Sequence, residues 1–331
     1  MTKKLRAGLV GMGMMGKHHA RVLSTLIGVE FVGIVDPIEE LSSKKSNFQI
    51  PFFTNVSKLA ENGLDYCVIA APTGLHKEIA LEILESDINC LIEKPVAVNF
   101  DEAMIISEHA KRNGLIVGVG HIERYNSAVR ELKKRLIAFE IGEIYEITFI
   151  RKGPFPFRIG DVGVIKDLAT HDIDLAVWLT GSNFKEVWAQ VVNKSRGEHE
   201  DLGSISGLLS NNVIVNISVN WISPIKQREI IVLGEKGAFV VDLLSAELVL
   251  HTHGNYKVTQ DSYLHFNGVT QGDVIHFGFE KPEPLLLEHV NFRDAILGLE
   301  SEVVTLQEGA QVLKVADAAL KSSKERVKVS L

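Results

Sequence analysis

LRAGLVGMGMMGKHHARVLSTLIGVEFVGIVD, residues 5–36, decides the fold. Ala7 to Val10 is an apolar run that leads straight into Gly11-Met12-Gly13-Met14-Met15-Gly16. Ala20, Val22, Leu23, Leu26 and Ile27 then return at helical spacing, and a second apolar run, Phe31 to Val35, ends in Asp36. Strand, glycine turn, helix, strand and acid stand in the order a dinucleotide site requires. Gly11 lets the chain turn sharply, Gly13 lets backbone approach a pyrophosphate, and Gly16 lets the helix lie close. Free N–H groups and the positive helix end would face the phosphates. Asp36, twenty positions after Gly16, is placed to bond the adenosine ribose hydroxyls. Its charge repels a 2′-phosphate, so NAD is favoured over NADP, although Lys44 and Lys45 can soften that preference. Gly11, Gly13, Met14, Met15, Gly16 and Asp36 form the expected cofactor cradle. A glycine triplet alone can mark a turn that holds no ligand; here the flanking elements agree with the nucleotide reading.

With 331 residues, 46% of them apolar, the chain is long enough for two domains. The net charge is −7 and no basic block stands out, so nucleic acid and anionic membrane are excluded as expected partners. The two cysteines, Cys67 and Cys90, sit in apolar, strand-like runs and read as reduced core residues of a cytoplasmic protein. Lys3, Lys4 and Arg6 precede an apolar stretch, but it is short, broken by glycines and followed by Lys17-His18-His19 rather than a cleavage pattern. No apolar run approaches membrane-spanning length.

The first third alternates strand and helix. Asp65–Ala71 is a near-continuous apolar run, as a strand buried on both faces should be. Pro72-Thr73-Gly74 breaks it, and a helix is predicted over His76–Glu85. Cys90–Ile92 is a short strand ending in Glu93-Lys94-Pro95. Asp101 is predicted to cap the next helix and Gly114 to end it; Leu115–Val119 is a further strand. This alternation predicts a doubly wound parallel sheet over residues 1–121. Residues 122–331 differ: after a helix over Ser127–Leu136, period-two alternation dominates from Glu143. Val213, Val215, Ile217, Val219 and Trp221 share one face of a strand and Asn216, Ser218 and Asn220 the other. Glu229–Leu233, Ala238–Leu243 and Glu247–Leu250, joined by short turns, read as an antiparallel meander. The second domain is thus predicted as an open, mostly antiparallel sheet with helices on one face. Thr252–Pro284 is poorly periodic and stays unassigned. Glu288–Leu297 and Leu306–Leu320 read as closing helices and Lys328–Leu331 as an edge strand.

Ligands of open parallel sheets bind beyond the carboxyl ends of the strands. Three such ends are the glycine turn, Ala71-Pro72-Thr73 and Glu93-Lys94-Pro95. A lysine held against a proline is positioned, and partial burial moves its pKa toward that of a useful acid or base; alone, Lys94 reads equally as a solvated lysine. Far off in sequence, Asp167, His171 and Asp174 fall at i, i+4 and i+7 of one predicted helix. A metal is one reading of that set, but no further ligand set is obvious nearby, and hydride transfer to a dinucleotide needs none. The plainer alternative makes Asp167 a helix cap and His171 a packed histidine.

The glycine turn, Glu93-Lys94-Pro95 and Asp167-xxx-His171-xx-Asp174, in that order, resemble the glucose–fructose oxidoreductase / inositol dehydrogenase / rhizopine catabolism (Gfo/Idh/MocA) family over essentially the whole chain. The resemblance implies an N-terminal Rossmann domain, a C-terminal α/β domain on a large open sheet, and NAD(P)-dependent oxidation or reduction of a sugar or cyclitol carbon. The family's catalytic residues match Lys94, Asp167 and His171; Ala169 stands where many members have glycine. Ala71, Pro72, Thr73, His76, Glu93 and Lys94 join the expected cofactor contacts. Such members assemble as homodimers or homotetramers through the outer sheet face. Within the family, Gly120–Asn126 and the run from Gly153-Pro154-Phe155-Pro156-Phe157-Arg158 to Asp174 resemble UDP-N-acetylglucosamine 3-dehydrogenase members, which implies oxidation at C3 of a UDP-N-acetylhexosamine.

Lys94, His121, Arg124, Arg151, Arg158, Thr170 and His171 are the expected substrate contacts. Arg151 and Arg158 beside Phe155 and Phe157 can hold a diphosphate and stack a uracil, or merely anchor a proline-rich loop. His76 and His121 are expected to line the nicotinamide or sugar pocket, though either can be structural, as can His18 and His19. Lys94 and His171 share the proton transfer, with Asp167 orienting them; which is the base stays open. The rival readings are an inositol or simple-sugar dehydrogenase on the same scaffold, and a catalytically silent NAD- and sugar-sensing regulator.

Overall fold

Six strands, β1 (Leu5–Val10), β2 (Val29–Val35), β3 (Phe52–Phe53), β4 (Tyr66–Ile69), β5 (Asn89–Glu93) and β6 (Val117–Gly120), pair in the order β3-β2-β1-β4-β5-β6, every pairing parallel. That order reverses between β1 and β4, which is where doubly wound sheets bind ligands. The computed structural model describes residues 4–37, 50–155, 162–195, 197–254 and 271–331.

Both faces of this sheet are covered, which is why its strands read as unbroken apolar runs. On one face α1 (Met14–Thr25) and α7 (Pro284–Ile296) cover Leu9, Ile34, Val68 and Leu91, and Phe292 packs edge-on against Tyr66 at 5.5 Å between ring centres. On the other, α2 (Val56–Ala60), α3 (His76–Glu85), α4 (Phe100–Asn113) and the start of α8 (Leu306–Glu325) enclose Ile69, Ile92, Ile106 and Leu313. Helix α4 is capped by Asn99, whose side chain accepts the Glu102 N–H at 3.0 Å, rather than by Asp101, which lies in the first turn. Gly114 ends it with φ +66°, a left-handed residue closing the helix.

The second sheet has nine strands: β7 (Ile144–Lys152), β8 (Phe184–Val192), β9 (Leu202–Leu209), β10 (Ile214–Asn220), β11 (Gln227–Gly234), β12 (Gly237–Asp242), β13 (Glu247–His253), β14 (Gln271–His276) and β15 (Val329–Ser330). Their order is β14-β13-β12-β11-β7-β10-β9-β8-β15, antiparallel except where β10 lies parallel to β7. The α5 helix (Ser127–Ile137) and α6 (Thr170–Thr180) precede and interrupt these strands in the chain. Strand β14 comes from the stretch the sequence left unassigned. The odd positions of β10 are buried as predicted, whereas Asn220 is buried too, because its side chain accepts the N–H groups of Ile222 and Ser223 and shapes the following turn.

Two compact units result. One comprises Met1–Tyr125, Arg158–Thr170 and Pro282–Asp317, the other Asn126–Phe157, His171–Lys281 and Ala318–Leu331. The sequence division at residue 121 is linear, whereas these units are discontinuous: α7 and the start of α8 return to the first.

Candidate active site

The glycine turn is built so that side chains cannot occupy it. Gly11 has φ +95°, and a Cβ there would lie 2.5 Å from the Ala70 carbonyl oxygen. A Cβ on Gly16 would lie 2.0 Å from the Gly11 carbonyl oxygen, so Gly16 allows helix α1 to begin against the turn itself. Gly13, by contrast, faces open space, with nothing within 4 Å of an added Cβ. Helix α1 has no side-chain cap and no acidic residue in its first turn, which leaves its N–H groups and positive dipole end for an external anion. The Asp36 carboxylate accepts the Met12 N–H at 2.7 Å, tying the end of β2 to the turn. Met14 is exposed, Met15 half-buried and Met12 buried. Bare backbone, an open face at Gly13 and an acid at the end of β2 fit a dinucleotide.

At the ends of β4 and β5, His76 joins two connecting segments: Nε2 lies 2.8 Å from the Ala71 carbonyl oxygen and Nδ1 3.0 Å from that of Pro95. Burial holds its pKa below the ordinary value, outweighing the two carbonyls and the Glu93 charge that favour the cation, so the neutral ring donates to one carbonyl at a time. Thr73 is buried, Ala71 half-buried and Pro72 exposed. The Lys94–Pro95 peptide is cis. Lys94 Nζ donates to the Asp167 carboxylate at 2.9 Å and to the Asp167 carbonyl at 2.8 Å.

Asp167 lies in a π-helical turn, Ile165–Ala169, that runs into α6. The wider turn inserts a residue, so the regular spacing predicted from Asp167 to His171 holds only from Thr170 onward. Thr170 is buried, its hydroxyl donating to the Lys166 carbonyl at 2.8 Å. Lys166 itself reaches Asp317 at 2.9 Å. His171 and Asp174 are buried on α6.

The expected substrate arginines are placed differently from one another. Arg151 is buried and turned into the Asp172 carboxylate, with Nε and Nη2 each 2.9 Å from Oδ1. Arg124 is buried against Glu308 at 2.7 Å. Burial pushes the Glu308 carboxyl up, but the Arg124 charge and hydrogen bond, with the Thr305 N–H and hydroxyl, together hold it below the ordinary range. His121 is buried at the end of β6. Arg158, Phe157, Lys44 and Lys45 lie outside the described residues. Phe155 packs edge-on against Trp221, 5.6 Å between ring centres.

One connection between residues is not legible in the sequence. Glu93 accepts from His19, and His19 in turn meets His289 of α7. His19 has a sequence signal, three positions after Gly16 on the sheet-facing side of α1; His289 has none. Among the described residues no cluster of three or more histidine, cysteine, aspartate or glutamate side chains is arranged to hold a metal, and no helix is long and apolar enough to cross a membrane.

Residues 5–121 match the model of an oxidoreductase family with an NAD-binding Rossmann fold, and residues 129–240 match the GFO/IDH/MocA C-terminal domain. The chain belongs to the Gfo/Idh/MocA oxidoreductase family. Its relatives in that family include a UDP-N-acetylglucosamine 3-dehydrogenase of Acidithiobacillus ferrooxidans, 26% identical over 76% of this chain and 78% of the relative. A glucose-6-phosphate 3-dehydrogenase of Bacillus subtilis is 32% identical over 64% of this chain and 66% of the relative. The fold is shared with the WlbA dehydrogenase of Bordetella pertussis, solved with NADH and UDP-GlcNAcA, at TM-score 0.85 and 22% identity over 100% of this chain and 99% of the other. As a Gfo/Idh/MocA member the chain is an oxidoreductase, and its cofactor is NAD.

Proposed function

We propose that this oxidoreductase oxidises a secondary hydroxyl of a sugar, at C3 of a UDP-N-acetylhexosamine. The observation that carries the reading is the Lys94–Asp167 pair at the end of β5, an ammonium fixed by a carboxylate where the parallel sheet presents its ligands. The choice of C3 is supported by two relatives whose names both specify a sugar 3-dehydrogenase. The choice of a nucleotide sugar is supported by one of these names.

Oxidising a secondary alcohol removes a hydride from carbon and a proton from oxygen. Gly11, Gly13, Met14, Met15, Gly16 and Asp36 would hold NAD, with Ala71, Pro72, Thr73, His76 and Glu93 at the neighbouring strand ends, and NAD would supply the hydride acceptor. The residues of the chain manage the proton. Lys94 and His171 share its removal, and Asp167 holds the Lys94 ammonium in place through two acceptors. His121, Arg124 and Thr170 border the substrate. Arg151 acts by holding Asp172 at the start of α6, which leaves diphosphate binding to Arg158.

Subunits associate, in this reading, through the open face of the nine-stranded sheet. A row of directly paired residues crosses it: Trp188, Ser206, Asn216, Thr148, Ile231, Val240 and Val249. It mixes apolar and polar side chains, as a wet homodimer or homotetramer interface does.

A second reading, an inositol dehydrogenase, is favoured by a scyllo-inositol 2-dehydrogenase 29% identical over 56% of the chain. The test is to incubate the protein with NAD and UDP-N-acetylglucosamine, glucose 6-phosphate or myo-inositol, and follow NADH absorbance. Trapping the product with borodeuteride then locates the oxidised carbon. Turnover of the nucleotide sugar with label at C3 is the expected result. Preference for inositol selects the second reading, and binding of NAD and sugar without turnover in either direction marks a sensor.

A further inference from the structure

Behind the end of β5 lie four buried titratable side chains outside the Lys94–Asp167 pair: His19 on α1, Glu93 on β5, and Glu288 and His289 on α7. His19 Nε2 is 2.9 Å from Glu93 Oε1, and His19 Nδ1 is 2.8 Å from His289 Nε2. Glu93 Oε2 accepts the Lys94 backbone N–H at 3.1 Å. A Cβ on Gly120 would come within 3.3 Å of Glu93 Oε2, so the bare glycine leaves space for this carboxylate. His289 Nδ1 and both Glu288 carboxyl oxygens are buried with no hydrogen-bond partner among the described residues.

Hydrogen-bond chemistry limits where the protons sit. An ionised carboxylate only accepts, so His19 carries a proton on Nε2 toward Glu93. The contact between the two imidazoles needs one further proton. Either His289 donates through Nε2 to a neutral His19, or a doubly protonated His19 donates through Nδ1 to His289. The two arrangements differ by one proton on His19.

The groups that face Glu93 are His19 from α1, Lys94 just past the end of β5, His76 from α3, and Glu288 and His289 from α7. Burial pushes the Glu93 carboxyl up, but the His19 hydrogen bond and charge, then the Lys94 charge and N–H, hold it below the ordinary range. Burial, and then the charge of Glu93, push Glu288 well above it. Burial, and then the charge of His19, push His289 well below the ordinary histidine value. Within the group the charged form is thus favoured at Glu93 and the neutral form at Glu288.

We infer that His19 and His289 are positioning residues that hold the Glu93 carboxylate against the Lys94 N–H, tying the helix that meets the cofactor's pyrophosphate to the strand end that carries Lys94. The inference rests on the dehydrogenase reading. His19 spans the two sides of the cofactor site: it lies one turn into α1, and Glu93 immediately precedes Lys94. Loss of His19 leaves the Glu93 charge buried without its donor, and the strand end loses its fixed position.

The experiment compares His19→Leu, His19→Gln and Glu288→Gln, each checked for folding by circular dichroism, in NAD affinity, kcat and KM. His19→Leu removes the N–H donor to Glu93, whereas His19→Gln keeps one. The expected NAD affinity of His19→Leu stays within about threefold of the parent, while kcat falls between about ten- and a hundredfold and His19→Gln recovers most of the loss. Glu288→Gln, which mimics a neutral acid, should retain the parent kcat. A folded His19→Leu with parent kcat overturns the inference, as does a loss confined to melting temperature. Nitrogen-15 NMR of the imidazoles is independent of turnover. In the unaltered protein with NAD, His19 should be protonated at Nε2, and Glu93→Gln should move that signal. An unmoved signal overturns the inference. An unaltered protein that turns over no sugar, with the signal moved, overturns the dehydrogenase reading alone.

Discussion

Lys94 and Asp167, seventy-three positions apart in sequence, meet twice: the ammonium bonds both the carboxylate and the backbone carbonyl of the aspartate. One acceptor belongs to a side chain and the other to a π-helical turn, so Lys94 is oriented by backbone that no substitution at 167 removes. Lys94→Ala should lower kcat by about 10²- to 10⁴-fold, the usual contribution of a positioned acid or base. NAD affinity should change little. Lys94→Arg should not restore turnover, because a guanidinium does not give up its proton in this range. Stopped-flow kinetics beside NAD titration separates the effects, and parent kcat in Lys94→Ala would sink the assignment.

The glycines of the turn should fail in different ways when replaced. In Gly16→Ala the new methyl meets the Gly11 carbonyl oxygen at 2.0 Å, so the turn must open. Both stability and NAD binding should fall. In Gly13→Ala the methyl enters open space. Stability should then move by less than about 1 kcal/mol, while NAD affinity drops because the methyl occupies the approach to the phosphates. Thermal melts with and without NAD tell the two apart; equal destabilisation in both variants would contradict this account.

Asp36 acts on both the turn and the ribose. Its carboxylate accepts the buried Met12 N–H, so removing it leaves that donor unsatisfied, at about 1–3 kcal/mol. Asp36→Ser keeps a short acceptor and removes the charge. Its expected result is at least a tenfold loss in kcat/KM with NAD, about 1.4 kcal/mol, with a relative gain for NADP. An unchanged ratio between the two cofactors would show that the carboxylate does not set the preference.

The parts legible in the sequence are those whose partners lie close along the chain. The glycine turn, the strand ends at Thr73 and Lys94, and the alternation in β10 each need only a few consecutive residues, because a helix or strand imposes its period locally. The parallel order of the first sheet follows from the strand–helix repeat. The pairings that complete the site are of another kind. His19 meets His289 across 270 positions and Arg124 meets Glu308 across 184, and no local pattern selects one partner among many charged residues. Arg151 looked available to a phosphate because its neighbours in sequence are aromatic, yet in the fold Asp172 reaches it. The π turn at Ile165–Ala169 is likewise unmarked, since one inserted residue leaves helical composition unchanged. Helix α7 was recognised as a helix, but its return to the first unit is a long-range fact that periodicity does not hold.

The buried acids make stability depend on pH in a direction that can be worked out. Glu288 is pushed up by burial and then by the charge of Glu93, so the folded chain binds its proton where the unfolded chain, near pH 4.3, has lost it. A raised carboxyl therefore costs stability as pH rises above the unfolded value, about 1.4 kcal/mol for each unit until the folded value is reached. His289 is held neutral by burial and by the charge of His19, so its contribution is lost in the other direction, as pH falls below about 6.5. Glu288→Gln removes the first effect and leaves the second. The variant should be more stable than the parent at pH 8, with the advantage shrinking toward pH 5. Denaturant unfolding at several pH values measures the gap, and a gap that does not change with pH would mean that Glu288 is ionised in the folded protein.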